Sequence, residues 1–440
     1  MSSRREFLNR MLVSTGGLFI LLKSDALAKV ASALENIPPN ATPLEVAGDE
    51  KFWASIQSAF EIDRSIINFN NGGVCPTPFK VHHAFKEYLD YSNQSPSYMM
   101  WRHLEPNKEL VRTKLARVFG CDKEEIAITR NASEALENVQ FGMDLEKGDE
   151  VLTTTQDYPR MIATWEQSVR RFGIRVVKVS YPAPLKNQDD IVKALRNGIT
   201  NKTKVILVSH VVFLNGQILP ILEISRMAHE NGLKVICDGA HSFCHFPFKH
   251  KDLECDYFGT SLHKWTFAPV GTGFLYVRKE LIPKIWPLMA APEEMDNNIR
   301  KFEEIGTHPA ANHNAIAEAL AFNEGIGLER KAARLRFLHK RWIDKLSKYD
   351  NVKFVTNIEN ESHWCGIVNV NIEGTDVSKL VNYFLDKHRI YVIPIIHQEF
   401  KGIRVSPNVY TLLSEIDYFA DVMESVAKGE VAEVMEVNEK

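Results

Sequence analysis

The chain has 440 residues with a net charge of −3, 45% apolar content and 25% charged content. Those are the proportions of a soluble globular protein large enough for two lobes of ordinary domain size. The weakly acidic balance, without a basic patch carrying interleaved aromatics, argues against nucleic acid as a partner, and six cysteines without a C-x-x-C pair argue against a disulfide scaffold or a zinc knuckle.

At the N-terminus, Ser3-Arg4-Arg5-Glu6-Phe7-Leu8 matches a twin-arginine export signal. A moderately apolar stretch from Met11 to Leu22 and the small-x-small sequence Ala26-Leu27-Ala28 complete the pattern. The expectation is a signal peptide over residues 1–28 and export to the periplasm or cell envelope of a bacterium, with the twin-arginine translocase as a partner. The apolar stretch is short for a permanent anchor.

Residues 29–78 read as an N-terminal arm. Asn36 to Pro43 holds three prolines and is expected to be extended, and Trp53 to Ile62 is helix-like. Ile66-Ile67-Asn68-Phe69 then runs into the turn Asn70-Asn71-Gly72-Gly73. Residues 79–120 read as two helices interrupted around Ser95-Pro96. The aromatic-rich Tyr98-Met99-Met100-Trp101-Arg102 suits either core packing or a wall facing a ligand.

From Glu125 to about Arg300 the pattern alternates. β-rich apolar runs lie at Ile126–Thr129, Val151–Thr155, Val176–Val179, Val205–Val208, Val235–Cys237 and Phe274–Val277, with helical periodicity between them at Arg160–Phe172 and Leu222–Glu230. This predicts an α/β fold with a mostly parallel sheet covered on both faces. Ligands gather beyond the carboxyl ends of such strands. The domain reading is 79–310 for this large lobe and 311–440 for a smaller α+β lobe.

Polar residues follow the strands at that end. After the run ending at Thr129 comes Asn131-Ala132-Ser133-Glu134, where Asn131 can cap a helix with Glu134 completing a capping box. The amides of Ala132 and Ser133 and the Ser133 hydroxyl would then sit at a positive helix end suited to phosphate. Gln156-Asp157-Tyr158-Pro159 follows the next strand, and Ser209-His210 a later one. Asp238-Gly239-Ala240-His241 ends a further apolar run and precedes Ser261-Leu262-His263-Lys264-Trp265. An amine, a carboxylate and phosphate donors are the parts needed to hold pyridoxal phosphate (PLP). Lys264 would bond the aldehyde, with its pKa lowered by burial and neighbouring positive charge. Asp238 would keep the pyridine nitrogen protonated. Ser261 and His263 would hold the phosphate. Cys237 reads as a buried small hydrophobe. His245 and His250 lack the spacing of metal ligands and read as surface or core residues, so no metal is expected.

In the last lobe, helical periodicity runs from Ala315 to about Leu346. Strands follow near Val352–Val355 and Gly366–Ile372, then a helix near Asp376–Lys387 and a strand at Ile390–Pro394. Gly402-Ile403-Arg404-Val405-Ser406 offers a guanidinium fork suited to a carboxylate.

Taken jointly, D-G-A-H, S-L-H-K, N-A-S-E-A, E-I-G-T at Glu304–Thr307 and I-R-V-S resemble the class V aminotransferase family of fold-type I PLP enzymes, over about residues 50–425. The chain is most similar in flavour to its isopenicillin N epimerase-like members. The resemblance implies a large domain with a mostly parallel seven-stranded sheet and a smaller α+β C-terminal domain. It implies Tyr158 stacking on the cofactor, His241 over or beside it, and Arg404 clamping the α-carboxylate of an amino-acid substrate. Asn71 falls in a turn placed near the substrate. Thr307 would reach the phosphate of a neighbouring subunit, implying a homodimer with shared sites. Phe213 stands where many relatives carry a small polar residue contacting the cofactor's phenolic oxygen, a contact that then falls to His241. The loop before Arg404 lacks the reactive cysteine of cysteine desulfurases, and Cys365 comes too early to replace it. Transamination, epimerisation and elimination (a C–S lyase) share their opening steps, so the reading stays open among them. A non-catalytic binding protein on this fold would be marked by loss of the lysine or the aspartate, and both are present.

Overall fold

A computed structural model describes residues 37, 38 and 40–436. The expected signal peptide lies outside the described residues. Two short helices come first, α1 (Pro43–Ala47) and α2 (Glu50–Gln57), then strand β1 (Ile67–Asn68). Thr42 caps α1 through a capping box and Asp49 caps α2, so the arm is helical over Pro43–Ala47 and Glu50–Gln57, and the helix expected to reach Ile62 ends at Gln57. Helices α3 (Phe79–Gln94), α4 (Pro96–Met99) and α5 (Glu105–Phe119) follow, with a π-helical turn over Met100–Leu104. The break expected at Ser95-Pro96 is present, since Ser95 leaves helical geometry at φ −159°. Tyr98 and Trp101 are 55% and 59% exposed, so they do not pack in the core, and they do not line the cavity described below.

The large lobe alternates as the sequence predicts: β2 (Ile126–Thr129), α6 (Ala132–Gly142), β3 (Glu150–Thr154), α7 (Pro159–Phe172), β4 (Arg175–Val179), α8 (Asp189–Gly198), β5 (Thr203–Ser209), α9 (Ile221–Glu230), β6 (Lys234–Asp238), β7 (Tyr257–Ser261) and β8 (Gly273–Val277). These form a seven-stranded sheet in the order β2-β8-β7-β6-β5-β3-β4. Only β8 runs against its neighbours. Alternate residues serve opposite faces. Ile126, Ile128, Ile206, Val208, Val235, Phe258 and Phe274 join one core, while Ala127, Val205, Leu207, Ile236, Tyr257 and Leu275 join the other. Burial on both faces is why these strands read as continuous apolar runs.

The remaining chain gives α10 (Ala310–Asn314), α11 (Ile316–Ile326), α12 (Leu328–Leu346), β9 (Val352–Phe354), β10 (Val368–Ile372), α13 (Val377–His388), β11 (Ile390–Tyr391), β12 (Ile393–Ile396), β13 (Lys401–Val405) and α14 (Leu413–Ala427). The single helical run expected from Ala315 is divided at Gly327, whose φ of +84° suits glycine alone. Strands β12-β13-β10-β9 make an antiparallel sheet with its own core, including Trp342, Val370, Phe384, Ile403 and Phe419. The arm crosses to this lobe, where β1 pairs in parallel with β11. That crossing brings the Asn70–Gly73 turn up to Arg404 on β13.

Candidate active site

The carboxyl ends of β2, β3, β5, β6 and β7 share one rim, and a cavity of about 290 Å³ opens there. Its walls include Ala132, Ser133, Tyr158, Asp238, His241, Ser261, His263, Lys264 and Arg404. Nine of the side chains singled out in the sequence, from five separate segments, therefore meet in one place. Asn71 and Thr307 do not line it.

Asp238 ends β6 in the middle of the sheet and is 5% exposed. The Ala240 amide donates to its Oδ1 at 3.0 Å. Burial raises its carboxyl to about 6, opposed by that amide and by the charge of Lys264. Lys264 follows β7, and its Nζ lies 3.1 Å from Nε2 of His241. Burial lowers the amine to about 8, with Asp238 pulling up and Arg404 pushing down. His241 is held well below the usual imidazole range by burial and by the Lys264 charge. It is therefore neutral, and its Nε2 accepts from the lysine ammonium. The Gly239 position is fixed from behind, because a Cβ there would overlap the Phe258 ring.

The helix end next to them is capped as predicted in one respect and differently in another. The Asn131 side chain accepts from the Glu134 amide at 2.9 Å. Glu134, however, reaches back to the amide and guanidinium of Arg130 and not to the Asn131 amide, because Asn131 is fully extended at φ −174° and ψ 178°. The Ala132 amide donates to Ser261 Oγ at 3.0 Å, joining α6 to the end of β7. Gly273 permits this close approach, since a Cβ there would lie 2.6 Å from the Thr260 carbonyl and 2.7 Å from the Asn131 Cα. His263 is half-buried with its Nδ1 unpartnered, and burial lowers its pKa to about 4.

Arg404 enters from β13 and is 4% exposed. Its Nη1 donates to the Phe213 carbonyl and its Nη2 to Asn70 Oδ1, each at 2.8 Å, while Nε has no partner. Burial lowers the guanidinium to about 10. Asn71 does not line the cavity. Its amide donates to the carbonyls of Asn68 and Ser406, and its Oδ1 accepts from Tyr410 at 2.6 Å. Asn71 therefore locks the turn, and its neighbour Asn70 meets the arginine. Nothing in the residue types separates the two asparagines; only the register of β1 on β11 does. Thr307 is exposed and lies off the cavity of its own chain.

Tyr158 is 41% exposed and meets Phe213 edge-on at 5.2 Å. The loop beneath it is fixed by a residue that the sequence reading passed over. Asp157 is buried and accepts from Thr153, Thr154 and Ser209, each at 2.7–2.9 Å, through hydroxyls and amides. His245 is a core residue stacked 3.7 Å from Trp265 and bonded to the His241 carbonyl and the Gly366 amide. His210 is buried against Phe246 and Phe248. Among the described residues no three His, Cys, Asp or Glu side chains cluster as metal ligands would.

Pyridoxal phosphate fits this donor set. His241, His263 and Arg404, each with a buried nitrogen that has no partner, line the cavity beside a lysine of lowered pKa and a buried carboxylate. Known proteins agree. Isopenicillin N epimerase from Amycolatopsis lactamdurans is 26% identical over 394 residues, covering 86% of this chain and 99% of that one. A cysteine desulfurase from Thermococcus onnurineus NA1 superposes with a TM-score of 0.75 at 24% identity, covering 86% of this chain and 98% of that one. A C-DES mutant with glycine covalently linked to its PLP cofactor superposes at 0.73 with 23% identity, covering 82% and 96%. The model of the family described as aminotransferase class-V matches residues 67–419. By that match the chain belongs to the aminotransferase class-V family, an α/β fold with pyridoxal phosphate as its cofactor.

Proposed function

We propose that this protein works at the α-carbon of an amino-acid substrate, as isopenicillin N epimerase-like members of the family do. The observation that carries the reading is the meeting of Lys264, Asp238 and Arg404 in one cavity. When bound, the cofactor supplies an aldehyde for amines and a ring that draws electrons from the α-carbon. Arg404 holds the substrate carboxylate with its planar fork, already aimed by Phe213 and Asn70. Asp238, once ionised, would keep a proton on the ring nitrogen. Lys264, as a free amine, would take the proton from Cα, and neutral His241, 3.1 Å from its Nζ, is placed to hold the resulting ammonium. Tyr158 shields the site from the side of β3.

One feature favours epimerase-like over desulfurase-like chemistry. The hairpin before Arg404 carries His397-Gln398-Glu399-Phe400 and no thiol, while Cys365 is buried with burial raising it to about 11. Thr307, exposed at the end of the E-I-G-T segment, supports a homodimer in which it serves the neighbouring site. The twin-arginine pattern supports export as a folded, cofactor-loaded protein.

The test is to incubate the PLP-loaded protein in D2O with a panel of L- and D-amino acids. Deuterium at Cα with inverted configuration supports epimerisation. Conversion to keto acid would replace that reading with transamination, and release of a β-substituent would replace it with elimination. No exchange with any amino acid, despite bound cofactor, would favour a binding protein on this fold.

A further inference from the structure

The hairpin joining β12 and β13 turns at His397-Gln398-Glu399-Phe400, closed by a 2.9 Å bond from the His397 amide to the Phe400 carbonyl. Its tip is held by the opposite lobe. Glu399 Oε1 accepts from Thr155 Oγ1 at 2.6 Å and Ser180 Oγ at 2.7 Å, and Oε2 accepts from Gln156 Nε2 at 2.9 Å. His397 Nε2 donates to the Thr155 carbonyl at 3.0 Å. Every one of these contacts falls just past the ends of β3 and β4, which the Thr155 amide ties together through the Val179 carbonyl. Gln156 also donates to the Tyr181 carbonyl at 3.0 Å, so its amide bridges the hairpin and the large lobe. Burial raises the Glu399 carboxyl, yet the hydrogen bonds from Thr155, Ser180 and Gln156 outweigh it and hold the group below its ordinary range. Glu399 is thus an acceptor for three neutral donors.

Two parts of the site converge on this contact. Gln156 is followed by Asp157 and Tyr158. Arg404 stands on the strand that leaves the hairpin, paired with Ile393. The guanidinium of Arg404 is aimed by Phe213 and Asn70, while the hairpin is tied to the large lobe by the polar contacts of His397 and Glu399 at its tip and by the packing of Ile393, Ile395 and Phe400 against the large-lobe core. Asp157 fixes the Tyr158 loop from the sheet side, and Glu399 fixes it from the hairpin side.

We propose that Glu399 is a positioning residue that sets the Arg404 strand against the Tyr158 loop, and thereby the affinity for ligands carrying an α-carboxylate. The inference rests on the reading of Arg404 given above. The probe is 2-methylalanine, which has the amine and carboxylate of a substrate but no α-hydrogen. It is titrated into PLP-loaded wild type, Glu399→Ala and Glu399→Gln, reading the cofactor absorbance. Hydrogen exchange at residues 155–158 and 401–405 is followed in parallel. The expected result for Glu399→Ala is about tenfold weaker binding of 2-methylalanine, PLP affinity within twofold of wild type, and faster exchange in both segments together. Glu399→Gln, which keeps an acceptor oxygen, should fall between. Equal probe affinity in Glu399→Ala, a parallel loss of PLP affinity, or unchanged exchange at 155–158 would overturn the proposal. Wild type that captures no PLP would overturn the reading of the site itself, which separates the two failures. If wild type captures PLP without responding to the probe, the exchange measurement decides alone.

Discussion

Lys264 Nζ lies 3.1 Å from Nε2 of His241, and neither group has an acid within hydrogen-bonding distance. The lysine is the donor, because burial and the lysine charge keep the imidazole neutral. Burial lowers the amine itself to about 8. The pair therefore holds a proton loosely at the atom proposed to bond the cofactor.

Cofactor capture should follow that proton. Only the free amine attacks an aldehyde. The rate at which apoprotein takes up PLP is expected to rise about tenfold per pH unit below pH 8 and level off above it. Rapid-mixing absorbance measures this directly. A rate still climbing through pH 10 would mean an ordinary, solvated lysine.

Asp238 gives a stability signature of opposite sense. Burial raises its carboxyl from 3.8 to about 6, so the folded chain holds the proton more tightly than the unfolded chain. Stability of the cofactor-free protein should then fall as pH rises from about 4 to about 6, by on the order of 3 kcal/mol from this group. Urea unfolding of wild type against Asp238→Asn isolates it. The variant should lack that fall and, even at saturating PLP, should exchange Cα protons at least a hundredfold more slowly.

Arg404→Lys replaces a rigid fork with a point charge. The lysine cannot reproduce simultaneous bonds to Phe213, Asn70 and a carboxylate. Loss of about 1.5–3 kcal/mol of carboxylate affinity is expected, or ten- to a hundredfold. Titration with 2-methylalanine reads it, and PLP affinity should stay within twofold.

Gly273→Ala tests the proposed phosphate end without touching a polar group. The added Cβ meets backbone atoms of Thr260 and Asn131 that cannot rotate away. A cost of about 1–3 kcal/mol in stability is expected, together with weaker PLP binding as the α6 terminus shifts. Thermal unfolding and PLP titration should move together; movement of the first alone would uncouple Gly273 from the cofactor.

Most of the large lobe was readable because strands buried on both faces leave unbroken Val, Ile and Leu runs. Strand β7 was the exception. Tyr257-Phe258-Gly259-Thr260-Ser261 is wholly buried yet carries a glycine and two hydroxyls, so it lacks the apolar signal. Gly259 is there because a Cβ would press on Leu136 of α6. The cavity-lining residues that follow strands on short loops were legible for that reason. Asn70, Asp157 and Glu399 were not, since each acts through a partner far away in the chain, and sequence spacing carries no trace of such pairings. The Tyr98–Trp101 aromatics likewise gave no sign of standing on the surface.

The identity of the cofactor lysine is the central claim, and the chain contains a rival. Lys331 is fully buried, donates to Asn323 Oδ1 at 2.8 Å and to the Trp265 carbonyl, and burial lowers it too to about 8. It sits 3.8 Å over the Phe267 ring and does not line the cavity. The measurement is borohydride reduction of the PLP-loaded protein, followed by digestion and peptide mass spectrometry. The account predicts the phosphopyridoxyl mass on Lys264 and its absence in Lys264→Ala. A label on Lys331, or no label on any lysine, would contradict it.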